Sequence, residues 1–518
     1  MINYPTMSHQ PVIDRLPQTR PADEFNELLV GNVHPPDWVN PDPARRYNLV
    51  VIGAGTAGLV TAAAAAGLAA KVALVERDLM GGDCLNVGCV PSKALISAAR
   101  IARMVRRADE FGVRVPPGAQ VDFPAVMQRL RRLRAEISPH DSARRFRDLG
   151  VDVFFGSARF RDSNSVQVGD DVLRFKKAVV ATGGRASAPP VPGLDRVDYL
   201  TNETLFSLTE LPQRLGIIGA GPIGCEMAQA FANLGSEVLL VEATHGVLPR
   251  EDRDAAEIVQ KSLEHDGVRL LCCGQNLTAR NESGQIRLAV ESHGASYDEP
   301  VDKLLVSAGR APNVDDLGLE AAGVDFDQKA GIHVDDRLRT TNPNIYAAGD
   351  VSSDYKFTHA ADFMARIVVR NALFPGWKKL SSLIIPWCTY TSPEIAHVGL
   401  YESDDSKKGH NVNAFQIGFD AVDRAVLEGE TSGLARVLVK KGTDRILGAT
   451  IVAANAGEMI SEVTLAMVGR LGLATIARAI HPYPTRSEAI RKIGDAYNRT
   501  RLTPRVRSLF ERWFRWSR

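Results

Sequence analysis

No run of eighteen apolar residues occurs in the 518-residue chain, so no segment is built to span a bilayer as a helix. Neither sign of charge prevails. The 62 Lys and Arg against 61 Asp and Glu leave a formal net charge of +1, which offers a nucleic acid no basic field to bind. Cysteine is scarce, with six residues, and this excludes a small disulfide-stapled secreted scaffold. The first forty residues place Pro, Asp and Asn where a secretory leader would carry its apolar core, so the cytoplasm is the expected compartment. What remains is an ordinary globular composition whose length implies about three domains rather than one core.

Two of the six cysteines stand together in Gly81-Gly82-Asp83-Cys84-Leu85-Asn86-Val87-Gly88-Cys89-Val90-Pro91-Ser92-Lys93. Pro91 marks the first turn of a helix, which puts Cys89 at or next to the N-terminus. There the free N–H groups and the helix dipole favour a thiolate. Gly88 lets the chain bend so that the sulfurs of Cys84 and Cys89 can meet. Lys93, one helical turn after Cys89, places a cation along the same face. A lone structural bridge is a poor account of this pair in such a chain, and redox chemistry is the better one.

A predicted strand over 47–52 leads into Gly53-Ala54-Gly55-Thr56-Ala57-Gly58, an alanine-rich helix, a second strand over 71–75, and Glu76. That order is the dinucleotide fingerprint. The glycines allow a tight turn and bring backbone to a pyrophosphate at the helix N-terminus, while the acid accepts from a ribose hydroxyl. The unit recurs as a strand over 215–218, Gly219-Ala220-Gly221-Pro222-Ile223-Gly224, a helix over 225–234, a strand over 237–241, and Glu242. Gly53 to Glu76 and Gly219 to Glu242 both span 23 positions. Two nucleotide sites and a redox pair point to electrons passing from a nicotinamide through a flavin to a disulfide. Glu242 accepts from a free 2′-hydroxyl and repels a 2′-phosphate, favouring NADH over NADPH, with Arg250 and Arg253 downstream as opposing cations.

The motif Gly-Gly-x-Cys-x-x-x-x-Cys-x-Pro-Ser-Lys resembles the active-site segment of the class I pyridine nucleotide-disulfide oxidoreductases, among them dihydrolipoamide dehydrogenase, glutathione reductase and mercuric reductase. The resemblance runs from Tyr47 to about Arg499. One departure is close at hand, because those families usually carry Thr where this chain has Asp83, next to the flavin pyrophosphate. The resemblance implies FAD and NAD(P)H as cofactors. FAD would lie on Gly53, Gly55, Thr56, Ala57, Gly58, Glu76, Gly82 and Lys93, with later contacts from Ala181-Thr182-Gly183, Gly349-Asp350 and His359. The nicotinamide dinucleotide would lie on Gly219, Gly221, Ile223, Gly224, Glu242 and Gly309. Cys89 would be the flavin-side charge-transfer thiolate and Cys84 the exchange thiol, with Lys93 and Glu226 paired beside the flavin.

The implied fold is α/β, with two Rossmann-like dinucleotide-binding domains (FAD and NAD(P)) and an α+β dimerisation domain. Its expected divisions are an extension at 1–46, the FAD domain at 47–199 and 326–379, and the NAD(P) domain at 200–325. The dimerisation domain follows at 380–498 and a basic amphipathic tail at 499–518. The extension, with a helical candidate over 23–30, is read as wrapped on the surface or partly disordered. An arginine-rich helical pair over 91–107 and 123–149 reads as a solvated face. No metal ligands are assigned. The vicinal Cys272-Cys273, after the apolar run 268–271, reads as strand core rather than a metal relay.

Near the C-terminus, the thiol-exchanging members of the family carry His-Pro-Thr-x-Ser-Glu, whose histidine, oriented by the glutamate, serves the partner subunit as acid and base. This chain reads His481-Pro482-Tyr483-Pro484-Thr485-Arg486-Ser487-Glu488, so Tyr483 occupies the base position and Glu488 the orienting one. Tyrosine titrates near ~10 and is a poor base for dithiol exchange. Tyrosine here is similar to mercuric reductase, although the vicinal C-terminal cysteines of that enzyme have no counterpart in Trp513-Phe514-Arg515-Trp516-Ser517-Arg518. The expected activity is an NADH-oxidising homodimer that reduces a metal ion, quinone or other small electrophile. A dihydrolipoamide dehydrogenase using His481 and a membrane-recruited redox sensor are the alternatives. On a helix, Leu502, Val506, Leu509, Phe510, Trp513, Phe514 and Trp516 oppose Arg505, Arg507, Arg512, Arg515 and Arg518. That pattern suits an anionic membrane surface or a docking helix on the protein's own dimer.

Overall fold

A computed structural model describes residues 19–403 and 411–518, so the first eighteen residues of the extension lie outside the described chain. Val151–Phe155, Val72–Glu76, Tyr47–Ile52, Asp171–Val180 and Ile345–Ala347 run side by side as parallel strands in that order. Their apolar residues are buried on both faces, as a sheet covered by helices requires. Tyr47–Ile52 pairs with the next strand of its own unit on one side and with the late Asp171–Val180 on the other. The order reverses there, and a crevice opens beyond the carboxyl ends, between Gly53 and Thr182-Gly183.

A second parallel sheet contains Val268–Leu271, Glu237–Val241, Arg214–Ile218 and Lys303–Val306. Three antiparallel strands, Gln275–Glu282, Gln285–Ser292 and Ala295–Val301, pack on it through Leu288, Val290 and Val301. The third body is an antiparallel sheet in the order Pro386–Thr389, Glu394–Gly399, Ile446–Ala453, Leu434–Lys440 and Val412–Gly418. The helices Ala456–Val468 and Glu488–Thr500 join its core through Met459, Ile460, Val463, Ile490 and Ile493. Leu465, Val468, Leu471, Ile480 and Tyr483 stay exposed on this body, an apolar surface suited to a second copy of the chain.

Three expectations need correction. The helix read over 123–149 is two helices, Phe123–Ile137 and Ala143–Asp148, joined by a 3-10 turn. Pro139 donates no N–H and cannot continue the first helix. The arginine face is not simply solvated either. Arg131 pairs with Asp23, and Arg134 donates to Asn26 Oδ1 (2.5 Å) and to the carbonyl of Asn86 (2.7 Å), both guanidinium groups being buried. These partners explain the extension, whose helix Glu24–Val33 is capped by Asp23 and buries Leu29 and Val33 in the core of the first sheet. Trp38 Nε1 donates to Val153 O (3.1 Å), and Asn40 exchanges hydrogen bonds with Phe155.

The third correction concerns Cys272-Cys273, which stand past the strand rather than within it. The strand ends at Leu271, Cys273 takes a left-handed φ of 55°, and Gly274 N–H closes onto Glu242 O at 2.9 Å. Among the described residues, no helix is long and apolar enough to cross a membrane.

Candidate active site

Cys84 sits in the single helical turn Gly82–Asn86, and Cys89 is the first residue of the helix Cys89–Arg106. Gly88 makes the bend between them. A Cβ there would stand 2.7 Å from Asp83 O, so only glycine lets the chain fold back this closely. Both cysteines are free thiols, hydrogen-bonded to one another. Cys89 opens into the crevice, and its Sγ lies 3.3 Å from Thr358 Oγ1.

The pair is electrostatically asymmetric. The hydrogen bond from Cys84 pulls the Cys89 thiol down to about 6, with Thr358 and the Lys93 ammonium adding to it against the cost of burial. Cys84 is raised, first by the hydrogen bond it donates to Cys89 and then by burial. One sulfur is thus prepared as a thiolate and the other as the proton holder.

Lys93 Nζ lies 2.9 Å from Glu226 Oε2, and Glu226 is buried on the glycine-started helix Pro222–Leu234. Tyr390 completes the group: its N–H donates to Glu226 Oε1 (2.8 Å), and its ring lies 4.5 Å under the ammonium. All three bodies therefore meet at one ion pair next to Cys89.

The two nucleotide turns fit the groups the sequence implies. In the first, Gly53 holds a φ of 99° against Ala181, and Gly58 packs where a Cβ would strike Gly53 O. Glu76 accepts from Ala54 N–H (2.6 Å) and Asp78 N–H (2.9 Å), leaving each oxygen a lone pair for a ribose hydroxyl. In the second, Glu242 accepts from Ala220 N–H at Oε2 (2.7 Å) and from both the N–H and the hydroxyl of Thr244 at Oε1, leaving Oε2 the lone pair for a ribose hydroxyl. Open space faces Gly183 in the first crevice and Gly221 in the second.

Asp83, the departure from the family pattern, has a partner. Arg310 Nη2 lies 2.5 Å from Asp83 Oδ2, while its Nε lies 3.3 Å from Asp350 Oδ2. Arg310 thus neutralises the extra acid across the mouth of the flavin crevice. His359 lies on the helix Thr358–Leu373, bonded to Pro386 O at 2.6 Å and stacked on Phe357. Thr182 Oγ1 donates to Asn313 O, and Gly309 lies against Ser187, tying the later segments together.

Among the described residues of one chain, no contact joins Tyr483 or Glu488 to the redox pair. Tyr483 hydroxyl donates to Asp423 (2.8 Å), and this bond holds its pKa above the usual phenol range. Glu488 Oε1 pairs with Arg491 and Lys492, and its Oε2 is buried without a partner. His481 is held by Ala479 O (3.0 Å) and Glu462 Oε1 (2.8 Å), so both ring nitrogens face acceptors. Sequence reasoning missed Thr358 and the roles of Tyr390 and Arg310. Their spacing from the glycine turns and the cysteine pair gives no hint of these partners.

Residues 47–365 match the pyridine nucleotide-disulphide oxidoreductase family, and residues 385–493 match its dimerisation domain. A mercuric reductase of Bacillus cereus is 35% identical over 446 residues, covering 86% of this chain and 70% of that enzyme. A dihydrolipoyl dehydrogenase of Chlamydia muridarum is 34% identical over 452 residues, covering 85% and 95%. A solved Cu(II) complex of the HOCl-induced flavoprotein disulfide reductase RclA from Escherichia coli is 30% identical with a TM-score of 0.76, covering 88% of this chain and all of that one. The chain belongs to the pyridine nucleotide-disulphide oxidoreductase family, an enzyme family that uses FAD and NAD(P)H.

Proposed function

We propose that this enzyme oxidises NADH and passes the electron pair through Cys84–Cys89 to a metal ion, in a homodimer. The observation that carries the choice of acceptor is the state of the C-terminal segment. Dithiol exchange needs a base that takes and returns a proton. Tyr483 keeps its proton toward Asp423, and both ring nitrogens of His481 are engaged by acceptors of its own chain. A thiophilic cation needs no such base, because it binds thiolate directly. The mercuric reductase relative and the Cu(II) complex of RclA support this class of acceptor for this chain.

Bound FAD supplies the two-electron carrier between NADH and the Cys84–Cys89 disulfide. Reduction cleaves the S–S bond and takes up one proton, giving Cys84 thiol and Cys89 thiolate, the arrangement that the hydrogen bond between them favours. Lys93 and Glu226 fix the charge beside Cys89, and Glu242 reads the ribose and selects NADH. When one Hg(II), or two Cu(II) ions, take the electron pair, Cys84 releases its proton and the disulfide forms again.

Steady-state NADH oxidation with Cu(II), Hg(II), a quinone and lipoamide is the test. Metal-dependent turnover lost in Cys84→Ser is expected, with lipoamide slow. Fast lipoamide turnover that disappears in His481→Ala, but not in Tyr483→Phe, would make the enzyme a dihydrolipoyl dehydrogenase instead.

The tail adds a membrane contact to this reading. Its helix, Pro504–Trp516, is capped by Thr503 and buries no residue, leaving Leu509, Phe510, Trp513 and Phe514 exposed opposite the arginines. Full-length protein is expected to co-sediment with anionic liposomes at low salt, and a chain cut after Arg501 is not. Equal sedimentation of the two would assign the helix to the protein's own surface.

A further inference from the structure

The geometry points to a second metal site, made by His245, Cys272 and Cys273 with His293 bonded to Cys272 beside them, and suited to a thiophilic d10 cation such as Zn(II) or Cu(I). The ligand atoms of His245, Cys272 and Cys273 all lie within 4.8 Å of one another. Cys273 Sγ is 3.6 Å from His245 Nδ1. His293 Nε2 lies 3.3 Å from Cys272 Sγ, outside that cluster, as a partner that orients the thiol. Two sulfurs and one imidazole are a donor set such ions accept, with the fourth position of the tetrahedron left to solvent or another ligand.

The cluster is held by structure rather than gathered by a floppy surface. Cys273 adopts its left-handed φ at a position where glycine would be the easy choice, which turns its side chain toward His245. Ser292 Oγ donates to Cys272 O at 2.6 Å, so the hairpin carrying His293 is fastened to the vicinal cysteines. The site opens to solvent at His245 and is closed at Cys272, giving an entry path and a covered floor.

Its position gives it a consequence. Cys273 N–H donates to Thr244 O and Gly274 N–H to Glu242 O, both at 2.9 Å. Thr244 in turn donates through N–H and hydroxyl to Glu242 Oε1. An ion drawing His245 and Cys273 together stiffens the loop that aims the Glu242 carboxylate, so nicotinamide binding becomes metal-dependent. This consequence rests on the reading of Glu242 as the ribose acid, while the metal site does not.

The test uses FAD-loaded, full-length protein with the Cys84–Cys89 disulfide oxidised, dialysed against Zn(II). One zinc per chain is expected in wild type and in Cys84→Ser/Cys89→Ser, and none in Cys272→Ser/Cys273→Ser at unchanged flavin content. His293→Ala, a gentler change, should weaken binding about tenfold or more. Co(II) in place of zinc should show thiolate-to-cobalt absorption that vanishes with the Cys272-Cys273 pair. Competition with chelator-buffered Cu(I) assigns the ion: displacement of zinc means copper, retention means zinc. Wild type that binds no metal, metal that follows Cys84 and Cys89 instead, or a permanent Cys272–Cys273 disulfide found by mass spectrometry would each overturn the site. With metal bound, the KM for NADH should shift severalfold in wild type and not in Cys273→Ser; an unchanged KM removes the coupling to Glu242 and leaves the site.

Discussion

The two nucleotide turns are nearly the same object built twice, and they differ in what stands before them. Gly55 (φ −78°, ψ −172°) and Gly221 (φ −73°, ψ −173°) share a conformation at the start of their helices. Gly58 and Gly224 close on Gly53 and Gly219 in the same way, and Glu76 and Glu242 hold matching backbone N–H groups. The first turn is roofed. Gly82, in the turn that carries Cys84, approaches so closely that a Cβ on it would lie 2.7 Å from Gly55 Cα. Nothing lies within 4 Å of a Cβ on Gly221, and Ile223 beside it is 38% exposed where Ala57 is 5%. Under the proposed assignment, one fingerprint makes an enclosed seat for a resident cofactor and an open dock for one that must leave each cycle. The roof is the redox segment itself.

Filling the roof should break the comparison most severely. In Gly82→Val the side chain meets backbone and a φ of 56° disfavours it, so something must move. The purified variant is expected to hold under a tenth of the wild-type flavin, with NADH oxidation down by about a hundredfold or more. The ratio of visible to ultraviolet absorbance checks this, and a fully yellow Gly82→Val protein would show that the roof is not needed.

The roofed side should also carry the titrating thiolate. Cys89 is drawn down to about 6 first by the Cys84 proton, a bond that a serine hydroxyl can also donate. A lowered pKa means the thiolate is present above that value and lost as pH falls through it. In Cys84→Ser the long-wavelength absorbance next to the flavin should therefore fade with a midpoint near pH 6, changing about tenfold in thiolate population between pH 5 and 7. Cys84→Ala, which donates nothing, should move the midpoint upward. A midpoint near that of free cysteine in both variants would remove the proposed pairing.

The glycine turns and both acids were legible in the sequence because their cause is local: close backbone approach leaves a residue-level mark. The redox pair was legible for the same reason. Partners distant in the sequence left no such mark. Arg131 and Arg134 looked like a solvated stripe until Asp23, Asn26 and Asn86 arrived beside them. Thr358 and Tyr390 belong to elements whose spacing says nothing about Cys89 or Glu226. Pro139 is different, since it announced a break that the helical periodicity was allowed to override. Cys272 and Cys273 were misplaced by one local event, the closure of Gly274 on Glu242 just after an apolar run.

Matched substitutions of the acids should sharpen the contrast. Glu242→Gln is expected to lower kcat/KM for NADH about tenfold, near 1.4 kcal/mol, and to raise it for NADPH by removing the repulsion of a 2′-phosphate. Flavin content should not change. Glu76→Gln should do the reverse, loosening FAD measurably in dialysis while leaving the ratio of NADH to NADPH use as it was. If both variants alter nicotinamide choice, or both shed flavin, the division of labour between the turns is wrong.

The smallest effect should come from adding one methyl group to the open dock. Gly221 has a backbone conformation that alanine adopts without strain, and its Cβ would point into empty space at the helix N-terminus. Folding and flavin loading therefore have no reason to respond to Gly221→Ala. The methyl instead occupies the place where backbone N–H groups receive a pyrophosphate. The KM for NADH should rise about threefold to tenfold with kcat nearly unchanged, the sign of lost uniform binding. The same change at Gly55 places its methyl 3.7 Å from Gly82 Cα, inside the roofed seat, and should appear as flavin loss rather than as a KM effect. A Gly221→Ala enzyme with wild-type KM would mean that the dinucleotide does not rest on this turn, and the second unit would need another ligand.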